Sequence, residues 1–150
     1  MTIHNPKDDS LVTDKVQAAS EQDVDRAVAA AKAAFRGWKR TPSGKRSAIM
    51  LKYADLVEQH TDKIAHLESI SMGQPISVAK KLVEMQVASW RYFAGLTDKI
   101  PGETYPENGD GIFKMVNYEP LGVCAGISAW NGTQLFVAWK VRPLNNCMLV

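Results

Sequence analysis

The fold is decided by the stretch Glu119–Asn131, which reads EPLGVCAGISAWN. Within it, residues 122–128 form an apolar run with β-branched side chains, which favours a buried β-strand. A polar turn follows at residues 130–134, and an amphipathic segment then runs over residues 135–144. A strand, a turn and a helix in this order make the first half of a β–α–β unit, whose second strand would begin near Cys147.

The β–α–β unit lacks most of its sheet. A parallel sheet needs its crossover helix and its partner strands, because together they bury both of its faces. The sequence up to Val150 supplies one strand and the start of a second. We therefore expect the sheet to be unfinished within these residues.

Upstream of this stretch, apolar residues recur at helical spacing in four segments. The first follows a capping-box-like start at residues 20–23 and ends near Trp38. Its apolar face comprises Val24, Ala27, Val28, Ala31 and Phe35. The second begins after Pro42 and ends near His60. Its apolar face comprises Ile49, Met50, Tyr53, Ala54 and Val57.

The third and fourth helices follow directly. We expect Thr61 to cap the third helix and Gly73 to end it in a left-handed conformation. Its apolar positions are Ile64, Leu67 and Ile70. The fourth helix is predicted from about Ser77 to Leu96, with apolar positions Val78, Leu82, Met85, Trp90 and Phe93. We interpret all four stripes as core or partner-facing surface rather than as cofactor sites.

Several motifs, in order along nearly the whole chain, resemble those of the aldehyde dehydrogenase superfamily. Their number makes the resemblance far more specific than any single motif would be. They are the Glu119–Cys124 opening, the Trp130–Asn131 pair, Ala138–Lys140, the helix at residues 24–38, the segment ESISMGQP at residues 68–75 and the segment IPGET at residues 100–104. The resemblance implies an α/β fold.

The same resemblance implies three parts. Residues 1–98 would be the helical part of the cofactor-binding domain, and residues 121–150 the first strand and helix of an incomplete dinucleotide-binding unit. Between them, turn signals and the strand-like segment Ile112–Tyr118 predict a hairpin of the oligomerisation type over residues 99–120. Its open edge would pair with a second copy of the chain or with a full-length relative.

By resemblance, the activity is the oxidation of an aldehyde to a carboxylic acid with NAD or NADP. The family's cysteine nucleophile, its glutamate base and its pyrophosphate-binding turn all lie beyond the equivalent of Val150. We therefore expect a truncated pseudoenzyme that is inactive in redox chemistry by itself.

Two candidate site residues remain, and both are carried over from the family motif. Asn131 would donate a hydrogen bond to the oxyanion formed on the aldehyde, and Trp130 would contact the cofactor. On residue type alone, an asparagine before Gly132 more often bonds its own turn. Gly132 and Thr133 also stand where the family has an aromatic residue and a proline, which loosens the turn beside the cofactor.

Two alternatives of other classes stay open. One is a stand-alone protein that binds a partner through the hairpin at Ile112–Tyr118. The other is a non-redox isomerase, cyclase or lyase that acts on a carbonyl compound through a reshaped pocket near Asn131 and Arg142. It would turn over its substrate without a nicotinamide.

Composition excludes several classes of function. The 18 basic and 16 acidic residues give a net charge of +2 and are interleaved, so no basic stripe indicates nucleic-acid binding. No apolar run predicts a membrane span or a secretory signal. Cys124 and Cys147 lack a Cys-x-x-Cys spacing, which is typical of a reducing compartment, and we expect a cytoplasmic protein.

The other reactive residue types are assigned ordinary roles. The three histidines, His4, His60 and His66, have no metal-ligand spacing, and no metal site is predicted. Cys124 is interpreted as a buried small hydrophobe. For Glu68, Glu84 and Glu119, a solvated or capping role is favoured over that of a catalytic base.

Overall fold

The computed structural model describes the backbone of residues 1–146. This part of the chain contains five α-helices and two antiparallel strand pairs. The helices are α1 (Glu21–Trp38), α2 (Ser43–Gln59), α3 (Thr61–Met72), α4 (Ile76–Ala94) and α5 (Thr133–Asn146). The strands are β1 (Ile3–His4), β2 (Leu11–Thr13), β3 (Glu103–Tyr105) and β4 (Lys114–Val116). The second strand expected near Cys147 lies outside the described residues.

Helix α1 begins where the sequence predicts. The Ser20 side chain accepts a hydrogen bond from the Asp23 backbone N–H, and the Asp23 carboxylate accepts one from the Ser20 backbone N–H, at 2.8 Å. This reciprocal pair is a capping box, which satisfies N–H groups that the first helical turn leaves free. The predicted apolar face is nevertheless not covered, because α1 has no buried residue and Val24 is 54% exposed.

The core lies between α2, α3, α4 and α5. Helix α4 is central, since it packs against the other three. The ring centroids of Tyr53 and Trp90 lie 4.7 Å apart across the contact of α2 with α4. Alanines at the contacts let the helix backbones approach closely. The buried core residues are Met50, Ala54, Val57, Ala65, Ala79, Val83, Val87, Trp90, Ala94 and Ala138.

The predicted apolar face of α4 is partly wrong. Trp90 is buried as expected, but Val78 and Met85 are exposed, whereas Ala79 and Val83 are buried. The helix carries apolar residues on more than one side, so periodicity alone does not select the side that meets α2 and α3. The buried side of α4 carries alanines such as Ala79, whose small side chains allow the neighbouring helices to pack closely.

The ends of α3 show one confirmed and one wrong prediction. Gly73 ends the helix in the left-handed region, with φ of 75°, as predicted. Thr61, however, is the first helical residue, and the N-cap position belongs to His60. The Thr61 hydroxyl instead donates to the backbone oxygen of Glu58 at 2.7 Å, in the last turn of α2.

The predicted hairpin forms, with shorter strands than expected. Strands β3 and β4 are antiparallel, with Glu103 opposite Val116 and Tyr105 opposite Lys114. Gly102 is needed beside them, since a Cβ atom there would lie 2.8 Å from the backbone oxygen of Val116. The β1–β2 pair was not predicted from the sequence.

The stretch Glu119–Asn131 forms no strand at residues 122–128, where one was predicted. A strand is stabilised by hydrogen bonds to a neighbouring strand, and none of the described residues provides one for this segment. The segment does lie against α5, because a Cβ atom on Gly126 would come within 3.1 Å of the Lys140 Cβ. The order of segment, turn and helix is thus present, and the sheet is not.

Candidate functional site

The Trp130–Asn131 pair lies directly before the first turn of α5. The backbone oxygen of Gly132 accepts hydrogen bonds from the N–H groups of Leu135 and Phe136, at 3.0 and 3.1 Å. The Thr133 hydroxyl donates to the backbone oxygen of Trp130 at 3.1 Å. Asn131 is therefore held next to the positive end of the α5 dipole.

The C-terminal end of α3 and the loop after it contact this turn. The Gln74 side chain donates from Nε2 to the backbone oxygen of Asn131 at 3.3 Å, across 57 positions of sequence. The Glu68 carboxyl lies in the same region, near enough to the backbone N–H of Thr133 for that N–H to favour its charged form. The Gln74 side chain thus ties the loop after α3 to the backbone of the turn.

Glu68 is the least expected member of this site. Its side chain is buried, with only 6% of the residue exposed. Burial raises the pKa of the Glu68 carboxyl, and the nearby backbone N–H of Thr133 opposes that shift. The solvated role considered for Glu68 is therefore wrong, and the capping role stays a prediction.

The two predicted site residues are exposed. Trp130 is 75% exposed, and Asn131 is exposed as well. No hydrogen bond to the Asn131 side chain is formed within the described part of the chain, so the turn-bonding alternative is not observed there. As far as residues 1–141 are concerned, the side-chain amide of Asn131 can donate to a molecule placed over the turn.

The described residues provide only part of a dinucleotide site. A dinucleotide binds at the carboxyl ends of parallel strands, with its phosphates near a helix N-terminus. The α5 N-terminus is present, but residues 122–128 form no sheet with another described segment. Cys124 is half-buried rather than buried as predicted, and its segment pairs with no strand among the described residues. These residues therefore do not fit a whole NAD or NADP molecule by themselves.

The described residues contain neither a metal centre nor a membrane-spanning helix. No group of three or more histidine, cysteine, aspartate or glutamate side chains within the described chain is placed to hold a metal ion. None of the described helices is long and apolar enough to span a membrane. Arg142, which the non-redox alternative invokes, is described only as a backbone position in α5.

The aldehyde dehydrogenase family model matches residues 1–147. The chain belongs to this family. An aldehyde dehydrogenase of Davidiella tassiana is 41% identical over 146 residues, which cover 97% of this chain and 29% of that protein. Retinal dehydrogenase 2 of Homo sapiens is 39% identical over 150 residues, covering 97% of this chain and 28% of that protein.

Solved structures of the family agree with the fold described here. PnpE, from Pseudomonas sp. WBC-3, has been solved in complex with nicotinamide adenine dinucleotide. It superposes with a TM-score of 0.93 at 37% identity, over 100% of this chain and 31% of that chain. The predicted resemblance and the α/β fold class are thus confirmed, and the chain spans less than a third of the length of these relatives.

Sequence reasoning missed the contact of Gln74 with the turn and the burial of Glu68. The segment at residues 68–75 was recognised as an aldehyde dehydrogenase motif, but nothing in its spacing indicates that it meets residue 131. The available signal was Glu68 itself, an acidic residue at helical spacing from Ile64. Its burial depends on the packing of α3 and α5 against α4.

Proposed function

We propose that these 150 residues form the N-terminal part of an NAD- or NADP-dependent aldehyde dehydrogenase, which oxidises an aldehyde to a carboxylic acid. In this proposal, Asn131 donates the hydrogen bond that stabilises the oxyanion. The observation that carries the proposal is the exposed side-chain amide of Asn131 at the N-terminus of α5, which makes no hydrogen bond to any residue that the structure describes. The family match over residues 1–147 supports it.

The chemistry explains why an amide suits this position. When a thiolate adds to an aldehyde, the carbonyl oxygen gains negative charge, and a fixed neutral donor stabilises that charge without releasing a proton. Removing one such donor typically costs about 2.7–4 kcal/mol in the transition state. The N-terminus of α5 adds a favourable dipole, because Asn131 lies directly before the first turn of that helix.

The cofactor belongs to the longer protein in this proposal. Since the described residues do not fit a whole dinucleotide, they perform no step of hydride transfer by themselves. Trp130, which is exposed beside Asn131, is proposed to contact the cofactor once further strands complete the sheet. We therefore propose that the isolated chain has no redox activity, and that the active protein is cytoplasmic and oligomeric through the β3–β4 hairpin.

The first test is the intact mass of the native protein, compared with 16.6 kDa for these residues. A larger mass is expected, and the native protein should then produce NADH or NADPH in the presence of an aldehyde. Asn131→Ala should lower kcat by roughly a hundredfold to a thousandfold. Asn108→Ala, in the exposed loop between β3 and β4, is the matched control and should leave kcat unchanged.

Two results would contradict the proposal. A full kcat in Asn131→Ala would remove the oxyanion role. Aldehyde-dependent NADH or NADPH production by the purified 150-residue chain, lost in Asn131→Ala, would show that the described residues suffice and that the longer protein is not needed.

A second candidate function is favoured by the exposed β3–β4 hairpin. Met115, Val116 and Tyr105 on its strands are all exposed, and neither strand has a further partner within the described residues. An open strand edge with apolar side chains favours pairing with another chain. If the native mass is 16.6 kDa, we propose binding to a full-length relative, and co-purification that Met115→Lys abolishes would support it.

A further inference from the structure

Helices α2 and α3 leave an apolar groove between them at the surface. The groove has a volume of about 350 Å³, and its apolar lining consists of Tyr53, Leu56, Val57, Ile64 and Leu67. Leu56 is 46% exposed and Leu67 is 51% exposed. All the lining residues belong to α2, to α3 or to the turn between them, so no other described segment fills the groove. Apolar side chains grouped in this way mark a surface that binds another protein segment.

The acidic side chains around the groove are already paired with helix α4. Arg91 pairs with Asp55 and Glu58, at 2.9 and 2.6 Å. Lys80 pairs with Asp62 at 2.7 Å. These three carboxylates are the only acidic side chains between positions 52 and 67. The negative charge of this region is therefore compensated by cations of α4.

The basic side chains at the groove are not compensated in this way. Lys63 lines the groove, and Lys52 lies one helical turn before Leu56, on the same face of α2. Neither lysine forms an ion pair within the described part of the chain. The groove is thus apolar in its middle and positively charged at its edge, which suits an apolar segment flanked by carboxylates.

The first half of α1 has the complementary pattern. Val24 and Val28 lie one turn apart and are 54% and 37% exposed, and the small side chain of Ala27 beside them allows a close approach. Glu21 and Asp25 are exposed next to this stripe and form no ion pair with any described residue. Amphipathic helices bind apolar grooves through side chains spaced three and four positions apart.

Helix α1 does not occupy the groove of its own chain. The turn after α1 is closed by a hydrogen bond from the Thr41 N–H to the Trp38 oxygen, at 2.9 Å. This turn joins the end of α1 to the start of α2, whereas the groove lies near the end of α2. Because α1 buries no residue in the structure, an α1 helix that fills the groove comes from another molecule.

We propose that the α2–α3 groove binds helix α1 of a second copy of this chain, with Val24 and Val28 in the groove and the carboxylates of Glu21 and Asp25 at its basic edge. This inference goes beyond the proposed function and does not rest on the oxyanion role of Asn131. It also concerns a different surface from the β3–β4 hairpin. One helix in a groove is a small interface, so the association is expected to be weak, with a Kd in the roughly micromolar range.

Sedimentation velocity of the 150-residue chain tests the proposal. At roughly 10–300 µM protein, the average mass should rise above 16.6 kDa as the concentration increases. Val28→Glu and Leu56→Lys should each weaken the association by roughly tenfold or more, because a charge would enter the apolar contact. Val78→Lys is the matched control, since Val78 is 46% exposed like Leu56 but lies on α4, outside the groove.

A mixture of the two weakened variants gives the sharpest result. Val28→Glu keeps an intact groove and Leu56→Lys keeps an intact α1, so the two together can form one normal contact. We expect the mixture to associate at concentrations at which neither variant associates alone. A mixture that stays monomeric under those conditions would overturn the proposal.

Charge reversal tests why α1 is the segment that binds. Lys63→Glu should weaken the association by roughly twofold to fivefold, the effect of an exposed charge pair. Adding Asp25→Lys to the same chain should recover part of the loss. An association that strengthens in Lys63→Glu would reject α1 as the occupant, because its first turns are acidic.

Two further results would overturn the proposal. One is a mass of 16.6 kDa for the unmodified chain over the whole concentration range. The other is loss of association in Met115→Lys together with full association in Val28→Glu, which would assign the contact to the β3–β4 hairpin.

Discussion

Helices α1 and α4 are nearly equal in length, with 18 and 19 residues, and both carry an apolar face. Helix α4 buries six residues against α2, α3 and α5, whereas α1 buries none. Both helices form because their starts and their periodicity are local properties of the sequence. Burial differs because the partners of α4 lie in the same 150 residues, and no described segment covers the face of α1.

The same contrast separates the core from the region after α4. Residues 99–130 contribute the β3–β4 hairpin and a segment without strand partners, and many of their large apolar side chains are exposed. Exposed apolar surface of this extent marks a region that contacts other protein. The chain spans under a third of its family relatives, so this surface and the face of α1 are where we expect further protein to pack.

The largest effect is expected from Met50→Ala. Met50 is 2% exposed in the core, and its truncation should cost about 2–5 kcal/mol of unfolding free energy. Met85→Ala removes the same atoms from the exposed side of α4, where Met85 is 43% exposed, and should cost well under about 1 kcal/mol. Urea unfolding followed by circular dichroism measures both. Equal costs would show that the exposed side of α4 is covered in solution.

The next effect concerns the end of α3. Gly73 has φ of 75°, and a Cβ atom there would lie 3.2 Å from Pro6. Gly73→Ala should therefore cost roughly 1–2 kcal/mol in urea unfolding, the penalty of a left-handed conformation for alanine.

Gly37→Ala is the control for the Gly73 substitution. Gly37 lies within α1 with open space around it, so alanine should stabilise that helix by roughly 0.5–1 kcal/mol. Because α1 has no buried residue, the gain should appear as slower amide exchange in α1 rather than as a change in global unfolding. A gain of the same size in global unfolding would mean that α1 is part of the cooperative core.

The smallest effect is the pH dependence of Glu68. Burial raises the pKa of its carboxyl in the folded state above the ordinary value of 4.5, so the protonated form is favoured by folding. Its contribution to stability is present below pH 4.5 and is lost as the pH rises through the higher folded-state pKa.

The stability of the native chain relative to Glu68→Gln should therefore fall as the pH rises above 4.5 and through the higher folded-state pKa. Denaturation of both proteins at several pH values measures this difference, and Glu84→Gln serves as the exposed control. A difference that increased with pH would mean that the α5 N-terminus stabilises the Glu68 carboxylate more than burial opposes it.

Some of the candidate site could be predicted from the sequence. The Trp130–Asn131 pair was found because the family motif is contiguous, and the structure places it at the start of a helix as expected. The oxyanion role of Asn131 stays a prediction. The contact of Gln74 with Asn131 could not be predicted, because it joins residues that are close only after three helices have packed together.

The sequence by itself determined the family, the existence of the five helices and the start of the first one, because motifs, caps and periodicity act over a few neighbouring residues. Only the tertiary structure decided which side of α4 is buried, that residues 122–128 form no strand, and that Glu68 is buried. The physical reason is that burial and strand pairing depend on which distant surfaces are available. Local spacing does not contain that information.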